Sequence, residues 1–391
     1  MTLTKKQKEL RSAILDKIYG KRPISRIDIS KETGITPATV STLTGEMITQ
    51  NFLLELGETD EQNNKAGRKK ILLDIKHHHS FYVGAEVAED FISFVLTDNI
   101  GEILKEQTID ISQKNFNYTS DSFIQLLHSF TKSIKQPISA LGIAIPGHYS
   151  KDYPDKILTN NKRWQLFDLS DISKSVSFPV FFANNVNCMA LSERLFQRHN
   201  DDNFALLHIG RGLHCSYMYH GDIFSKENLL IGEIGHTIVA ADGELCECGK
   251  RGCLQTYASE SWLIKKSKIL FRNSANTYLK QLVTSEDEIS IKIILDAYEL
   301  GDVGIMSIVN SAIQYLAISL INLNMMIDSK QIVVHGKLFE KDSLHKTLKE
   351  LVETEPKLMF LPHQEILLKP YSIYNGAIGG CALCIQQLWL Q

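Results

Sequence analysis

"GEIGHTIVAADGELCECGKRGCLQTYAS", Gly232 to Ser259, is the stretch on which the reading of this chain turns. Cys246, Cys248 and Cys253 form a C-x-C-x4-C cluster, with His236 ten residues ahead of the first of them. Seven cysteines in 391 residues, an odd and small number, argue against a secreted disulfide framework. In a reducing compartment such a cluster holds a metal more readily than a disulfide.

Working outward, the hydrophobic fraction of 43% supports a sizeable core. The N-terminal "MTLTKKQKELRSAILDK" is charged and lacks the apolar segment of a signal peptide. No uncharged apolar run is expected to reach bilayer length, so the expectation is a cytoplasmic protein without a membrane partner. Charge is unevenly placed. Residues 1–76 hold 14 Lys and Arg against 10 Asp and Glu, a net +4, which leaves −7 for the rest of a chain whose total is −3. A basic head on an acidic body fits a DNA-binding module joined to a ligand-binding one.

The head has a pattern to match. "KELRSAILDKIY" places Leu10, Ile14, Leu15 and Ile18 on one stripe of a first helix. Ser25 caps a second helix that runs to Glu32, and Gly34 supplies a left-handed turn. Thr36 caps a third helix with Pro37 at its first position. Ile29, Ile35, Val40, Leu43 and Met47 pack inward, while Ala38, Thr39, Ser41 and Thr42 form a small polar face suited to the DNA major groove. "FLLEL" and "ILLDI" then flank a basic loop, with Gly67, Arg68 and Lys69 at its tip for a minor groove. These features predict a winged helix-turn-helix over residues 1–76.

From Phe81 the pattern becomes β-β-β-α-β-α and occurs twice, which predicts a two-lobed α/β body with a cleft. "FYVGAEVAEDFISFVLTDNIGEILKEQTIDI" reads as a hairpin, turning at Asp98-Asn99, that leads into a third strand. "NGAIGGCALCIQQLW" reads as a small-residue helix at the C-terminus.

The basic head, "IAIPG", the Asn-rich strand end, "GEIGH" and "CECGKRGCLQTYAS" together resemble the ROK family of repressors and sugar kinases over the whole chain. The resemblance implies a body of 77–391 with an actin-like, sugar-kinase (ribonuclease H-like) fold. Lobe 1 would span about 77–183 plus 373–391, and lobe 2 about 184–372. It also implies a zinc ion on His236, Cys246, Cys248 and Cys253. Three thiolates and one imidazole make a closed tetrahedral set, the mark of a structural site. For the sugar it implies Gly147, Asn161, Asn184, Asn185, Glu233, His236 and Gln255. The planar side chains among these suit hydroxyls, which both donate and accept, and Gly147 after Pro146 would let backbone approach the ligand closely. For Asn184 and Asn185 the plain alternative is a pair of residues ending a strand.

Family kinases carry D-x-G-G-T where this chain has Glu86-Val87-Ala88-Glu89-Asp90. They carry a glycine-rich second phosphate loop where it has "GRGLHCS", with Arg211, His214 and Ser216 in place of threonine or glycine. Asn185 stands at the position of their catalytic aspartate, and a carboxamide cannot act as a base. The expectation is therefore a non-enzyme: a sugar-responsive repressor that binds an inverted-repeat DNA operator as a homodimer or tetramer. "GRKKILLDI", "FISFVLTDNIGEIL" and "RWQLFDL" resemble the xylose-repressor branch. Gln255 in place of its usual glutamate leaves the sugar open among xylose, an N-acetylated amino sugar, another hexose, a phosphosugar and a glycan fragment. His77-His78-His79 reads as a solvated linker, and Cys188, Cys215, Cys381 and Cys384 as core thiols.

Overall fold

Two five-stranded mixed sheets with one shared strand plan organise the body. The computed structural model describes residues 4–58, 70–112, 116–197, 202–224, 228–353 and 365–391. The chain divides into two units, Met1–Asp201 with Ile373–Gln391, and Asp202–Ser372.

The first unit opens with α1 (Lys5–Lys21), β1 (Ile24–Ser25), α2 (Arg26–Thr33), α3 (Pro37–Thr49), β2 (Leu53–Glu58) and β3 (Ile71–Ile75). Local chemistry sets these boundaries. Ser25 accepts a hydrogen bond from the Asp28 N–H, Gly34 ends α2 at φ 69°, and Thr36 caps α3 through the Thr39 N–H. Ile14, Leu15, Ile18, Ile29, Val40, Leu43 and Met47 are buried together, with Leu10 and Ile35 half-buried at the margin. The three strands pair in the order β1-β3-β2.

Then follow β4 (Phe81–Val87), β5 (Phe91–Asp98), β6 (Ile103–Asp110), α4 (Ser120–Thr131), β7 (Ile138–Ile145), α5 (Leu169–Lys174), β8 (Val180–Asn184) and α6 (Asn185–Phe196). The sheet runs β6-β5-β4-β7-β8, antiparallel on the β6 side and parallel on the β8 side. All eight residues of β5 are buried, which explains its unbroken apolar run, whereas β6 lies at an edge and mixes exposed with half-buried residues. The C-terminal helix, Asn375–Trp389, returns to this sheet. It fits because Gly84 and Gly142 carry no side chain: a Cβ on either would overlap the Ala377 or Gly380 carbonyl. Helix α6 packs on that same helix, Gly379 lying against Cys188. The boundary between units therefore falls at 201/202, after α6, and not at 183/184 as the sequence suggested.

The second unit contains β9 (Phe204–Ile209), β10 (Leu213–Tyr219), β11 (Asp222–Ile223), α7 (Gln255–Ala258), α8 (Glu260–Asn273), α9 (Leu279–Leu282), α10 (Ile291–Glu299), α11 (Val303–Met326), β12 (Gln331–Gly336), α12 (Asp342–Glu353) and β13 (Glu365–Lys369). Its sheet, β11-β10-β9-β12-β13, repeats the pairing senses of the first. Helix α11 corrects one expectation: it is long and apolar enough to cross a membrane by length and composition. Its apolar side, including Ile305, Val309, Ile313, Leu316 and Leu320, is buried in the core of this unit.

Candidate functional site

The cysteine segment folds into a knot in the second unit. Two single bridges, Ile238 with Cys253 and Leu245 with Arg251, close it, and the Cys246 N–H donates to the Lys250 carbonyl at 2.8 Å. Gly252 sits at φ 68°, and a Cβ there would overlap the Ala240 carbonyl, so only glycine completes the turn. The ligand atoms of His236, Cys246, Cys248 and Cys253 all lie within 4.8 Å of one another. Cys246 Sγ is 3.6 Å from His236 Nδ1, and Cys248 Sγ is 3.6 Å from Cys253 Sγ. A tetrahedral zinc bonded at about 2.0–2.3 Å would separate its ligands by about 3.5–3.8 Å, so the four donors fit a closed metal site. Burial, then the neighbouring thiols, pushes the Cys253 thiol up to about 12. A divalent cation would reverse that penalty by stabilising thiolate.

Gln255 is buried, and its Nε2 donates to Cys246 Sγ at 3.3 Å and to Glu247 Oε1 at 3.0 Å. A glutamate in its place could not donate to the sulfur. Glu233 Oε1 lies 3.4 Å from His214 Nδ1, so a residue of the altered second loop reaches a residue assigned to the sugar. In the same loop, Ser261 Oγ donates to the Arg211 carbonyl at 2.7 Å and the Glu260 N–H to the Gly210 carbonyl at 2.8 Å.

In the first unit, Asn184 caps α6. Its Oδ1 accepts from the Val186 and Asn187 N–H groups at 2.9 and 3.3 Å, and its Nδ2 donates to the Gly147 carbonyl at 3.1 Å. Asn185 Nδ2 lies 3.4 Å from Glu86 Oε1. Glu86 is 2% exposed and also accepts from the Gly376 N–H at 3.1 Å. Burial raises its carboxyl to about 7, against the opposing pull of Asn185 and Gly376. Asn161 Nδ2 makes a short hydrogen bond to Glu89 Oε1 and its Oδ1 accepts from the Arg163 N–H at 3.1 Å. Gly147 is packed against its own chain. A Cβ there would meet Ile157 and the Leu158 carbonyl at 2.8 Å, so the close approach is by the chain itself.

Sequence reasoning passed over Glu86 as a neutral-range carboxyl, although a lone acid in the apolar run "FYVGAEV" was a usable signal. Cys188, Cys215, Cys381 and Cys384 are all buried, as core thiols should be. On α3, Ala38, Ser41 and Thr42 are exposed and Thr39 is half-buried. Gly67, Arg68 and Lys69 lie outside the described residues.

Contacts join the head to the rest of the first unit. Arg194 Nη2, at the end of α6, meets Asp16 Oδ1 on α1 at 2.7 Å, with the arginine 2% and the aspartate 25% exposed. Tyr19 donates its hydroxyl to the Asn99 carbonyl at 2.9 Å. Trp389, at the end of the C-terminal helix, packs against Phe52 with ring centres 5.0 Å apart and lies under Arg11 at 6.0 Å.

Against this geometry, a family model described as ROK family matches residues 82–387. The xylose repressor of Bacillus subtilis (strain 168) is 28% identical over 332 residues, 84% of this chain and 82% of that protein. A solved ROK family transcriptional regulator, a homologue of the Escherichia coli Mlc protein, superposes with a TM-score of 0.75 at 23% identity, over 98% of this chain and 96% of its own. A ROK family glucokinase from Streptomyces griseus, in complex with glucose and AMPPNP, superposes with a TM-score of 0.66 at 22% identity, over 78% of this chain and 100% of its own. At these identities the solved structures establish the fold, a sugar-kinase-like body, which regulators and kinases share.

Proposed function

This chain belongs to the ROK family, and from that premise we propose that it is a sugar-responsive transcriptional repressor of carbohydrate genes, without kinase activity. The observation that carries the reading is the α2–Gly34–α3 pair with its exposed face of Ala38, Ser41 and Thr42, joined to a ROK body. Helix α3 would enter the major groove and contact bases through those residues and Thr39, while Gly67, Arg68 and Lys69 would reach the adjoining minor groove. Two such heads in a homodimer would match an inverted repeat. The similarity to a xylose repressor supports a sugar effector and action in the cytoplasm, where the DNA is.

Zinc on His236, Cys246, Cys248 and Cys253 would be structural, since four protein donors leave no open position for chemistry. The residues we assign to sugar recognition are Gly147, Asn161, Asn184 and Asn185 in the first unit; in the second unit they are Glu233, His236 and Gln255. Three features speak against phosphoryl transfer. Asn185 cannot take a proton from a sugar hydroxyl. Glu89 and Asp90 put acidic groups where a nucleotide phosphate would need open backbone. His214 and Arg211 crowd the second loop.

The first unit also offers a route from ligand to DNA. Helix α6 begins at Asn185 and ends on α1 through Arg194–Asp16. The C-terminal helix begins over Glu86 and ends against Phe52. A sugar that changes either helix start would bias the head, provided it binds the DNA-incompetent form more tightly.

Fluorescence anisotropy with DNA from upstream of the chain's own gene, repeated across a sugar panel, tests the reading. We expect tight operator binding that one sugar weakens by about 5–150-fold, the usual range of allosteric coupling. Sugar-dependent ATP consumption, or no preference for that DNA over random duplex, would overturn it.

A further inference from the structure

The three-histidine stretch at the end of the head, expected as a solvated linker, also has partners in the body. His77 and His78 are exposed, but two carboxylates from the turn between β5 and β6 gather beside them. His77 Nδ1 lies 3.7 Å from Glu102 Oε2, His78 Nε2 lies 3.5 Å from the same oxygen, and His78 Nε2 lies 3.9 Å from Asp98 Oδ2. The donor atoms of His77, Asp98 and Glu102 all fall within 4.8 Å of one another. We propose that His77, His78, Asp98 and Glu102 form a second metal site, separate from the cysteine cluster, for a divalent transition cation such as zinc, cobalt or nickel.

Four observations support it. First, the donors match the metal: two imidazoles and two carboxylates suit a borderline divalent cation, and the carboxylates would neutralise its charge. Second, the spacing is within reach. Three donor pairs lie 3.5–3.9 Å apart, and the donors of His77, Asp98 and Glu102 lie within 4.8 Å of one another. Rotations of the exposed His77, His78 and Glu102 side chains, moving donors by about 1 Å, would bring the set to the roughly 3.3–3.6 Å of a tetrahedral site with bonds of about 2.0–2.2 Å. Third, the site is held from behind. Asp98 is fully buried and accepts hydrogen bonds at 3.0 Å from the N–H groups of His78, Ile100 and Glu102, which fixes the backbone of two of its fellow ligands. Fourth, the backbone is bent to serve it. His78 lies at φ 58°, a left-handed conformation uncommon outside glycine, and its ring stacks on Phe81 at 6.2 Å. Among the described residues, Asp98 and Glu102 form ion pairs with these histidines only.

The location gives the cation a consequence. His77 and His78 follow β3 of the head after one residue, and Asp98 and Glu102 belong to the β5–β6 turn of the body. That turn already clasps the junction, since Asn99 Nδ2 donates to the Lys76 carbonyl at 2.8 Å and Asn99 Oδ1 accepts from the His79 N–H at 3.0 Å. A bound cation would cross-link the two sides of that junction through side chains.

Cobalt(II) titration of the full-length, zinc-loaded protein, followed by visible and near-ultraviolet absorption, tests the site. The expected result is one equivalent bound with visible d–d bands and without thiolate-to-cobalt charge transfer. Binding should weaken about tenfold or more in His77→Ala and in His78→Asn, since a lost ligand costs at least as much as a lost outer partner. Asparagine is chosen at 78 because it tolerates positive φ. Glu102→Gln keeps side-chain volume and should weaken binding equally if a histidine variant misfolds. Absence of binding, binding with charge-transfer bands only, or binding unchanged in folded variants would each overturn the proposal.

Discussion

At the scale of single residues, Glu86 concentrates the chemistry of the first unit. Its carboxyl is raised from 4.5 to about 7, chiefly by burial. Because the folded state then holds a proton more tightly than the unfolded chain, the contribution to stability is greatest below about pH 4.5. It is lost as pH rises toward 7, after which the fold carries a buried charge costing about 3 kcal/mol. Glu86→Gln keeps an acceptor for the Gly376 N–H and removes the charge. Urea unfolding from about pH 5 to pH 8 should show a flatter pH dependence for the variant and a gain of up to about 3 kcal/mol at the alkaline end. An unchanged slope would mean that Glu86 is solvated in solution. Gln255 makes a similar point about residue identity: as an amide it can donate to Cys246 Sγ and to Glu247 together, which no carboxylate could do.

At the scale of elements, the cysteine knot is a loop that the backbone nearly closes and a metal would finish. Leu245 and Ile238 are exposed within it, so apolar burial alone does not explain its order. Removing the cation with a strong chelator should lower the melting temperature, and added zinc should restore it. Gly252→Ala should give the low melting temperature even with excess zinc, since its Cβ would collide with the Ala240 carbonyl. A chelator-insensitive melt, with no zinc found by elemental analysis, would argue against the metal.

At the scale of the molecule, the proposed coupling would pass through the contacts that fasten the head within the first unit. Arg194→Met keeps the aliphatic stem and removes the ion pair with Asp16. Since Asp16 is partly exposed, the stability loss should be about 1–3 kcal/mol, less than for a fully buried pair. Operator binding and sugar binding should each survive, while the effect of one on the other shrinks toward none; calorimetry and anisotropy on the same samples would measure both. Retention of full coupling would assign transmission to the C-terminal helix and Trp389 instead.

Much of this was legible because it is local. Ser25, Gly34 and Thr36-Pro37 act on residues within one turn of themselves, so the boundaries of α2 and α3 could be read from spacing alone. The cysteine cluster likewise lies within one loop. Other features were not legible, because partners far apart in sequence supply them. Asn161 bonds to Glu89, Gly147 makes room for Ile157, Glu86 meets Asn185 and Gly376, and His78 finds Asp98 and Glu102. Helix α11 shows the same divide: its composition suits a bilayer, and only its packing places its apolar side inside a protein core. The sequence by itself determined the bounds of α2 and α3, their caps and the grouping of His236 with three cysteines, all of which depend on residue type and short spacing. The tertiary structure decided which polar groups face one another, because burial and pairing are properties of the folded chain and not of any one segment.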